Sequence, residues 1–391
     1  NYCMPETPIM LSEPSLQGNE WKYVKECIDG EWVSSAGKYV NLFEQKITEY
    51  TGAKFAIACV NGTSALQVSL RLAGVRSGDE VIVPTLTFIA PVNAIAYNGA
   101  SPVFMDADEY YNIDIMKTID FIQNQTYFKD NATYNKITNK RISAIIPVHI
   151  WGNAVWLDKL VPLCKKYNIS VVEDACESLG TFYIKGLFEG KHTGTIGELG
   201  CLSFNGNKII TTGGGGMILT NDFDLANKAK YLTTQAKDDP VNYIHNEIGY
   251  NFRLTNIQAA IGVAQLEKIQ NYLKRKKEIH KQYLTCIKEI KSFIIADIPN
   301  YANNNHWLNI FMRNPVKINK VIDYLRHKNI ETRPIWQLNH LQEPYKSCQS
   351  YKVENAPKLI NQSLCLPSSV SITDNQISIV INKLKKYFKI K

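Results

Sequence analysis

The segment of residues 201–216 reads CLSFNGNKIITTGGGG and is the most informative part of the chain. Its single lysine, Lys208, follows a short apolar run and stands shortly before four consecutive glycines. Further upstream, the apolar run 169–172 ends in Glu173 and Asp174. A lysine in a loop of small residues can form a Schiff base, and an aspartate at the carboxyl end of a buried strand can hold a pyridinium nitrogen. The pair predicts a site for pyridoxal 5′-phosphate (PLP), with Lys208 and Asp174 as catalytic residues.

Two ordinary alternatives for Lys208 are a solvated surface lysine and the lysine of a nucleotide-triphosphate loop. Most lysines are exposed to solvent. The phosphate loop requires glycine directly before the lysine and serine or threonine directly after it, because the hydroxyl binds Mg²⁺. Asn207 and Ile209 occupy those two positions here. The spacing argues against the phosphate loop, and the surface lysine stays open at this point.

The composition is that of a folded protein with a large core. The chain has 391 residues, of which 45% are hydrophobic, 20% charged and 10% aromatic. This length suggests about two domains. The formal net charge is +8, and the lysines are scattered along the chain. Such a charge suits an anionic small molecule and gives little support to nucleic-acid binding, so we expect no nucleic-acid partner.

Cysteine usage and hydropathy bear on the compartment. The chain has nine cysteines, an odd number, and no C-x-x-C pair. In a chain of this length that pattern favours reduced thiols over a disulfide framework, and it predicts a cytoplasmic location. No stretch approaches the length of an apolar membrane span, and the first residues lack the pattern of a secretory signal. We therefore expect no membrane partner, and we expect no metal ion.

Short β-branched runs alternate with helical patterns over the first half of the chain. This rhythm predicts an α/β fold with a mainly parallel sheet and crossover helices. A further strand pair should flank the loop of Lys208. The predicted strands are 55–60, 81–84, 102–105, 142–148, 170–173, 200–204 and 216–220, and the predicted helices are 64–72, 91–97 and 157–167.

The C-terminal third is less regular and predicts a smaller α+β domain. Residues 255–290 have the spacing of one long helix or two in series, with Thr255 as the N-cap. A strand at 307–312 and helices at 318–327 and 374–388 complete the pattern. We predict a large PLP-binding domain over 15–265 and a smaller domain over 266–391, with the N-terminal segment as a candidate to pack on the smaller one.

Several polar or aromatic residues directly follow predicted strands. Gly62, Thr63 and Ser64 open a helix, where unpaired backbone N–H groups suit a phosphate, although an ordinary helix cap explains the same pattern. Phe88 follows a strand and is a candidate to stack on a cofactor ring or, alternatively, a core residue. His149 also stands at a strand end, where open α/β sheets bind ligands.

Taken together, these segments resemble the DegT-type nucleotide-sugar aminotransferases, which are PLP enzymes of fold type I. The resemblance runs from about residue 9 to the C-terminus, and the combination of motifs is specific although no single motif is. It is carried by residues 32–37, 61–66, 78–84, 173–175, 203–208 and 249–262. It implies the fold type I architecture, PLP and pyridoxamine phosphate as the two cofactor forms, and a homodimer.

The resemblance also implies a role for individual residues. Lys208 matches the Schiff-base lysine, Asp174 the partner of the pyridinium nitrogen, and Phe88 the stacking aromatic. Asn251 matches a residue that reaches the phosphate from the neighbouring subunit. Glu177 stands where many relatives carry glutamine or histidine beside the 3′-oxygen, and a carboxyl there must be protonated or turned away. The phosphate-binding positions are matched by Gly62, Thr63, Ser64 and Ser203.

Within this family, residues 203–212, 233–237 and 332–334 are similar to the C4 aminotransferases of the bacillosamine and legionaminic acid pathways. That resemblance implies transfer of an amino group from L-glutamate to a nucleotide-linked 2-acetamido-4-keto-2,4,6-trideoxyhexose. A C3 aminotransferase and a PLP-binding regulatory protein of the same fold are the alternatives. The sequence leaves open which nucleotide carries the sugar. Candidate contacts for the anionic substrates are His149, Arg253, Arg333 and His340.

Overall fold

The computed structural model describes residues 7–288, 290, 292–313 and 317–390. Its strands are β1 Phe55–Cys59, β2 Glu80–Pro84, β3 Ser101–Met105, β4 Thr126–Lys129, β5 Ala132–Asn135, β6 Arg141–Ile145, β7 Ser170–Asp174, β8 Phe182–Tyr183, β9 Leu199–Ser203, β10 Gly216–Thr220, β11 Ile294–Ile295, β12 Ala302–Asn303, β13 Asn309–Met312, β14 Arg333–Pro334, β15 Ser350–Tyr351 and β16 Ser363–Leu366. Its α-helices are α1 Glu20–Asp29, α2 Lys38–Thr51, α3 Gly62–Leu72, α4 Ala90–Tyr97, α5 Ile115–Asn124, α6 Leu160–Lys166, α7 Phe223–Thr233, α8 Asn256–Glu267, α9 Ile269–Ile287, α10 Ile318–Arg326, α11 Ala356–Gln362 and α12 Asp374–Tyr387.

The large sheet has the strand order β1-β10-β9-β7-β6-β2-β3-β15. Strands β9, β7, β6, β2, β3 and β15 run parallel, whereas β10 and β1 are antiparallel to their neighbours. The hairpin of β4 and β5 attaches to β6. The predicted α/β architecture with a mainly parallel sheet is confirmed, and so is the strand pair that flanks the loop of Lys208.

The strands of this sheet are apolar on both faces because both faces of the sheet are buried. All five residues of β2 are buried, and so are the last four of β3, β6 and β7. Helices cover the sheet, because parallel strands need crossover connections that pack back on its faces. Two polar residues stand at the carboxyl ends of strands, where Asp174 closes β7 and Ser203 closes β9. Those ends lie on one edge of the sheet and position the site.

The C-terminal part forms a second, antiparallel sheet with the order β11-β13-β16-β14. Helices α9, α10 and α12 contribute to its core. Ile9 belongs to the same core and pairs with Ile330. Ser350–Tyr351 pairs with β3 and thus extends the large sheet. The division at residue 265 remains a prediction.

Capping chemistry accounts for the helix starts that the sequence indicated. Thr255 is the N-cap of α8, and its hydroxyl accepts the N–H of Gln258 while the Gln258 side chain reaches back, which is a capping box. Of the two alternatives for residues 255–290, the structure has two helices in series, and they meet at Lys268. Within the described chain, no helix is both long and apolar enough to cross a membrane. Among the same residues, no cluster of three or more histidine, cysteine or acidic side chains is placed to hold a metal ion.

Candidate active site

A cavity of about 300 Å³ opens at the carboxyl ends of β7 and β9, beside the start of α3. This catalytic cavity, as we call it below, lies where open α/β sheets bind their ligands. Its lining combines one lysine, two carboxylates, small polar residues and three aromatic rings. The lining residues are Asn61, Gly62, Thr63, Leu66, Thr87, Phe88, Ala90, Pro91, Asp174, Cys176, Glu177, Ser203, Asn205, Asn207, Lys208, Gly214, Gly215, Trp307 and Trp336.

Lys208 is held in this cavity rather than on the surface. Its backbone N–H donates to the carbonyl of Asn205 at 3.0 Å, which closes a turn directly after β9. Its Nζ lies 3.6 Å from Oε1 of Glu177 and 4.0 Å from the centroid of the Trp307 ring. The side chain is 14% exposed. The structure therefore excludes the solvated surface lysine that the sequence left open.

Asp174 is buried at the end of β7, and Oδ1 accepts the N–H of Cys176 at 3.1 Å. Burial raises the pKa of the Asp174 carboxyl, because a charged group loses its hydration there, while the positive charge of Lys208 acts in the opposite direction. A cationic N–H partner would offset the cost of that burial. Asp174 is therefore suited to hold a protonated ring nitrogen, as predicted.

Glu177 is the second buried carboxyl of the cavity. Its Oε2 accepts the backbone N–H of Trp151 at 2.7 Å, and Oε1 faces Lys208. Burial raises the pKa of Glu177 to about 7, against the lowering effect of the Lys208 charge. Trp151 presents its N–H from a left-handed backbone conformation with φ of 52°. A carboxyl with this pKa is partly protonated near neutral pH, which removes the repulsion that an ionised Glu177 would exert on a phenolate.

The start of α3 provides the predicted phosphate position. The side chain of Asn61 caps the helix by accepting the N–H of Ser64 at 2.8 Å. The N–H groups of Gly62 and Thr63 come before this bond, where a helix leaves its donors unpaired. A Cβ on Gly62 would lie 2.8 Å from Sγ of Cys176 and 3.0 Å from Cβ of Ser203. Only glycine fits this close approach. Ser64 itself is buried and is not among the residues that line the cavity.

The aromatic residue predicted to stack, Phe88, lines the cavity with half of its surface exposed. Its ring centroid lies 6.4 Å from that of Trp336, and Trp336 in turn stacks on Trp151 at 5.4 Å. Phe88 is therefore not a core residue, which was the alternative interpretation. Its exposed face is available to a flat ligand.

Two of the four predicted substrate contacts are occupied by other bonds. His149 is buried, with Nε2 2.9 Å from Oε2 of Glu173 and Nδ1 accepting the N–H of Val155 at 3.0 Å. His340 has Nδ1 2.6 Å from Oγ1 of Thr85. Neither histidine lines the cavity. Both ring nitrogens of His149 are used, so the structure places it in the framework behind Asp174 rather than against a substrate.

Asn251 and Arg253 also lie outside the cavity of this single chain. Asn251 is exposed, and its backbone forms an isolated antiparallel β-bridge with Thr234. Arg253 forms a β-bridge of the same kind with Cys59. An exposed Asn251 is compatible with the predicted action on a neighbouring subunit. That action remains a prediction.

Arg333 pairs with Glu331, at 2.8 Å from Nη2 to Oε1, and its side chain is 67% exposed. It lines a second cavity of about 360 Å³. This second cavity adjoins the catalytic one, because both are lined by Asn207, Trp307 and Trp336. Arg333 is therefore paired with a surface acid and also lies beside the catalytic cavity.

Sequence reasoning missed several lining residues, chiefly Trp307, Trp336, Cys176 and Asn207. Trp307 and Trp336 lie in the C-terminal part, distant in sequence from Lys208. No local motif marks them, since a tryptophan in an apolar run reads as a core residue. Cys176 and Asn207 could have been found as near neighbours of Asp174 and Lys208.

These residues fit PLP in three respects: a lysine amine lies inside the cavity, a buried carboxyl has a raised pKa, and a helix that begins with glycine offers backbone N–H groups to a phosphate. Lys208 would carry the cofactor covalently, Asp174 would hold its ring nitrogen, and Gly62 and Thr63 would bind its phosphate. Phe88 would cover a face of the ring.

Comparison with known proteins identifies the family of the chain. The sequence model of the DegT/DnrJ/EryC1/StrS aminotransferase family matches residues 14–385. The chain is 37% identical over 383 residues to the GDP-perosamine synthase of Escherichia coli O157:H7, covering 97% of this chain and 98% of that protein. It is 36% identical over 384 residues to the GDP-perosamine synthase of Caulobacter vibrioides, covering 96% and 97%.

Among solved structures, the fold is similar to that of Helicobacter pylori PseC, an aminotransferase involved in the biosynthesis of pseudoaminic acid. The TM-score is 0.86 at 24% identity, and the match covers 98% of this chain and all of that one. The predicted fold type I architecture is thereby confirmed. The chain belongs to the DegT/DnrJ/EryC1/StrS aminotransferase family and is a PLP-dependent sugar aminotransferase that acts on a nucleotide-linked sugar.

Proposed function

We propose that the protein transfers an amino group from L-glutamate to C4 of a nucleotide-linked 2-acetamido-4-keto-2,4,6-trideoxyhexose, in the synthesis of legionaminic acid or a bacillosamine-type sugar. The observation that carries the proposal is the place of the Lys208 amine, inside a cavity that also holds Asp174. The segments 205–212, 233–237 and 332–334 support the choice of C4 and of the acetamido sugar by their resemblance to that branch.

The chemistry needs a group that accepts electrons and a base that moves one proton. PLP, when bound, supplies the electron sink. Asp174 keeps the ring nitrogen protonated, because a buried carboxylate stabilises the positive charge beside it. Lys208, once its amine is free, takes the proton from Cα of glutamate. The same side chain then gives a proton to C4′ of the cofactor. Exclusion of water by Phe88, Trp307 and Trp336 strengthens these electrostatic contacts.

The same residues serve the second half of the reaction in reverse order. Lys208 then delivers a proton to C4 of the sugar, and the amino group stays on that carbon. Two anionic substrates must enter in turn, a small dicarboxylate and a larger nucleotide sugar. The second cavity beside Trp307 and Trp336 extends the room available, and Arg333 at its edge offers a guanidinium to a carboxylate or a diphosphate. For this, Arg333 must exchange its bond with Glu331.

A homodimer with shared active sites is part of the proposal. Asn251 is exposed in the single chain, and the resemblance gives it a role at the neighbouring subunit's phosphate. The relatives named as GDP-perosamine synthases make GDP one of the carriers to test, beside UDP and dTDP.

The experiment has two stages. The first adds L-glutamate to the purified holoenzyme and follows the visible absorbance of the bound cofactor, with Lys208→Ala as the inactive control. Loss of that absorbance identifies a catalyst that accepts glutamate, and no change contradicts glutamate as the donor; a regulatory protein of the same fold would fail to respond to every amino donor tried. The second stage incubates the aminated enzyme with 4-keto and 3-keto sugars, with and without the 2-acetamido group, on UDP, GDP and dTDP, and determines the products by NMR. Turnover of 3-keto sugars alone would contradict C4, and equal turnover without the acetamido group would contradict the legionaminic or bacillosamine assignment.

A further inference from the structure

Trp307 contacts the catalytic lysine in two ways, although it comes from the C-terminal part of the chain. The Lys208 Nζ lies 4.0 Å from the centroid of the indole ring. The indole Nε1–H donates to the carbonyl of Asn207 at 2.6 Å, and that carbonyl belongs to the peptide bond that leads into Lys208. Trp307 is 3% exposed. One side chain therefore fixes both the backbone from which Lys208 projects and the position of its amine.

The segment that carries Trp307 is itself anchored to the active-site loop. The backbone N–H of Trp307 donates to Oδ1 of Asn305 at 2.9 Å. Nδ2 of Asn305 donates to the carbonyls of Glu177 at 2.8 Å and Leu179 at 3.0 Å. Trp307 and Glu177, the two neighbours of the Lys208 amine, are thus joined through one asparagine.

A buried lysine holds the other side of Trp307. Lys276 is 2% exposed, and its Nζ donates to the carbonyls of Trp307 at 2.9 Å and Ser368 at 2.5 Å. Burial lowers the pKa of Lys276 to about 7, because its partners are neutral carbonyls. A methionine would occupy a similar volume without the cost of burying an amine. What the lysine adds is a pair of N–H bonds that tie the backbone of Trp307 to that of Ser368.

We propose that Trp307 is a positioning residue for Lys208, and that Lys276 holds Trp307 in place. In the first half of the reaction the C–H bond at Cα of the amino acid breaks, its proton goes to Nζ of Lys208, and the electron pair stays with the substrate and cofactor. The resulting ammonium faces the indole ring, whose quadrupole attracts a cation most strongly when water is excluded. The ring favours the product of the proton transfer over its reactant state, and it therefore accelerates the step.

The first test needs neither substrate nor cofactor. The apoenzymes of the wild type, Trp307→Leu, Trp307→Phe and Trp156→Phe are treated with acetic anhydride at one pH, and acetylation of Lys208 is measured by peptide mass spectrometry relative to the exposed Lys346. Loss of the ring face should speed acetylation of Lys208 in Trp307→Leu by about three- to tenfold, the range of a cation–π contact. Trp307→Phe keeps a ring and should lie in between, and the remote Trp156→Phe should match the wild type. Equal rates in wild type and Trp307→Leu would overturn the proposal.

The second test asks whether Trp307 positions Lys208 or only forms part of the cavity wall. It takes its amino donor, L-glutamate, from the proposed function. Single turnover of the holoenzymes is compared for L-glutamate and its Cα-deuterated form. Trp307→Leu should be slowed about tenfold with a larger isotope effect than the wild type, and its KM for glutamate should change less than about threefold. A raised KM with an unchanged isotope effect would make Trp307 a wall of the cavity and overturn the proposal.

Lys276→Met completes the series. Its isotope effect should rise in the same direction as that of Trp307→Leu, and a wild-type isotope effect in a folded Lys276→Met protein would overturn the role of Lys276. If wild-type enzyme does not react with glutamate at all, the donor in the proposed function is wrong, and the acetylation of the apoenzyme still decides the contact between Trp307 and Lys208.

Discussion

Oε1 of Glu177 lies 3.6 Å from Nζ of Lys208, and the two side chains are 6% and 14% exposed. At this distance the positive charge of Lys208 acts directly on the Glu177 carboxyl. Burial raises the pKa of Glu177 to about 7, and the charge of Lys208 lowers it by a smaller amount. The backbone N–H of Trp151 favours the ionised form by donating to the other carboxylate oxygen. Near neutral pH, Glu177 therefore has both protonation states within reach.

We expect Glu177→Gln to change how the stability of the apoenzyme depends on pH. The folded pKa of Glu177 is about 7 and its ordinary value is 4.5. Between these values the folded state binds more protons than the unfolded state, so the contribution of Glu177 to stability falls as pH rises through this window. The loss is on the order of 3 kcal/mol at most. Glutamine cannot ionise, and this part of the fall should disappear.

The measurement is the free energy of unfolding in denaturant at several pH values between about 5 and 8. Glu343→Gln is the matched control, because Glu343 is an exposed carboxyl paired with Lys346. It should reproduce the wild-type slope. A wild-type slope in Glu177→Gln as well would mean that Glu177 stays ionised in the folded protein, and its protonated form would then play no part at the cofactor.

Lys208→Ala should abolish amino transfer, by more than about 10³-fold, while the fold is kept. The amine is the group that would carry the cofactor and move the proton, and alanine provides neither function. The check is reduction of the wild-type holoenzyme with borohydride followed by peptide mapping. We expect the label on Lys208 alone, with the exposed Lys346 unlabelled. A label on another lysine would contradict the assignment.

Lys208 and Trp307 show which parts of the site the sequence predicts and which parts it does not. The strand, loop and glycine run around Lys208 lie within a short segment, and local pattern predicts them, as it predicts β7 with Asp174 and the start of α3. Trp307 reaches the loop of Lys208 only through the tertiary fold, because it lies 100 residues beyond Asn207 along the chain. No property of the residues next to Trp307 encodes that contact.

The histidines illustrate a different limit. The sequence predicts His149 directly after a strand over 142–148, but strand β6 ends at Ile145 and the chain turns His149 inward to Glu173. Position along the sequence predicts which edge of the sheet a residue reaches. The direction of its side chain depends on the hydrogen-bond partners that are buried near it. For His149 that partner is Glu173, a buried carboxylate that also accepts the N–H groups of Gly194, Ile196 and Gly197.

Asp174→Asn should retain the cofactor and lose about 10²- to 10³-fold in turnover. A neutral amide fills the same space at the end of β7, but it does not stabilise a positive charge on the ring nitrogen. The cofactor content is read from the absorbance of the purified protein, and turnover from the glutamate half-reaction. Asp323→Asn, an exposed acid on α10, serves as the control. Turnover near the wild-type rate would make Asp174 a structural carboxylate.

Asn251→Ala should weaken cofactor retention if Asn251 completes the site of a neighbouring subunit. Asn251 is exposed in the single chain and lies outside the catalytic cavity, whereas Lys208 lies within it. Mixing Asn251→Ala with Lys208→Ala protomers tests the arrangement. If Asn251 acts on the partner, one site of the mixed dimer carries both changes and the other carries neither. That second site should restore up to half of the wild-type activity per mixed dimer.

The control is Asn251→Ala mixed with itself under the same exchange conditions, which should restore nothing. Subunit exchange proven by mass spectrometry, without recovered activity, would contradict the cross-subunit role and leave Asn251 as a surface residue bridged to Thr234.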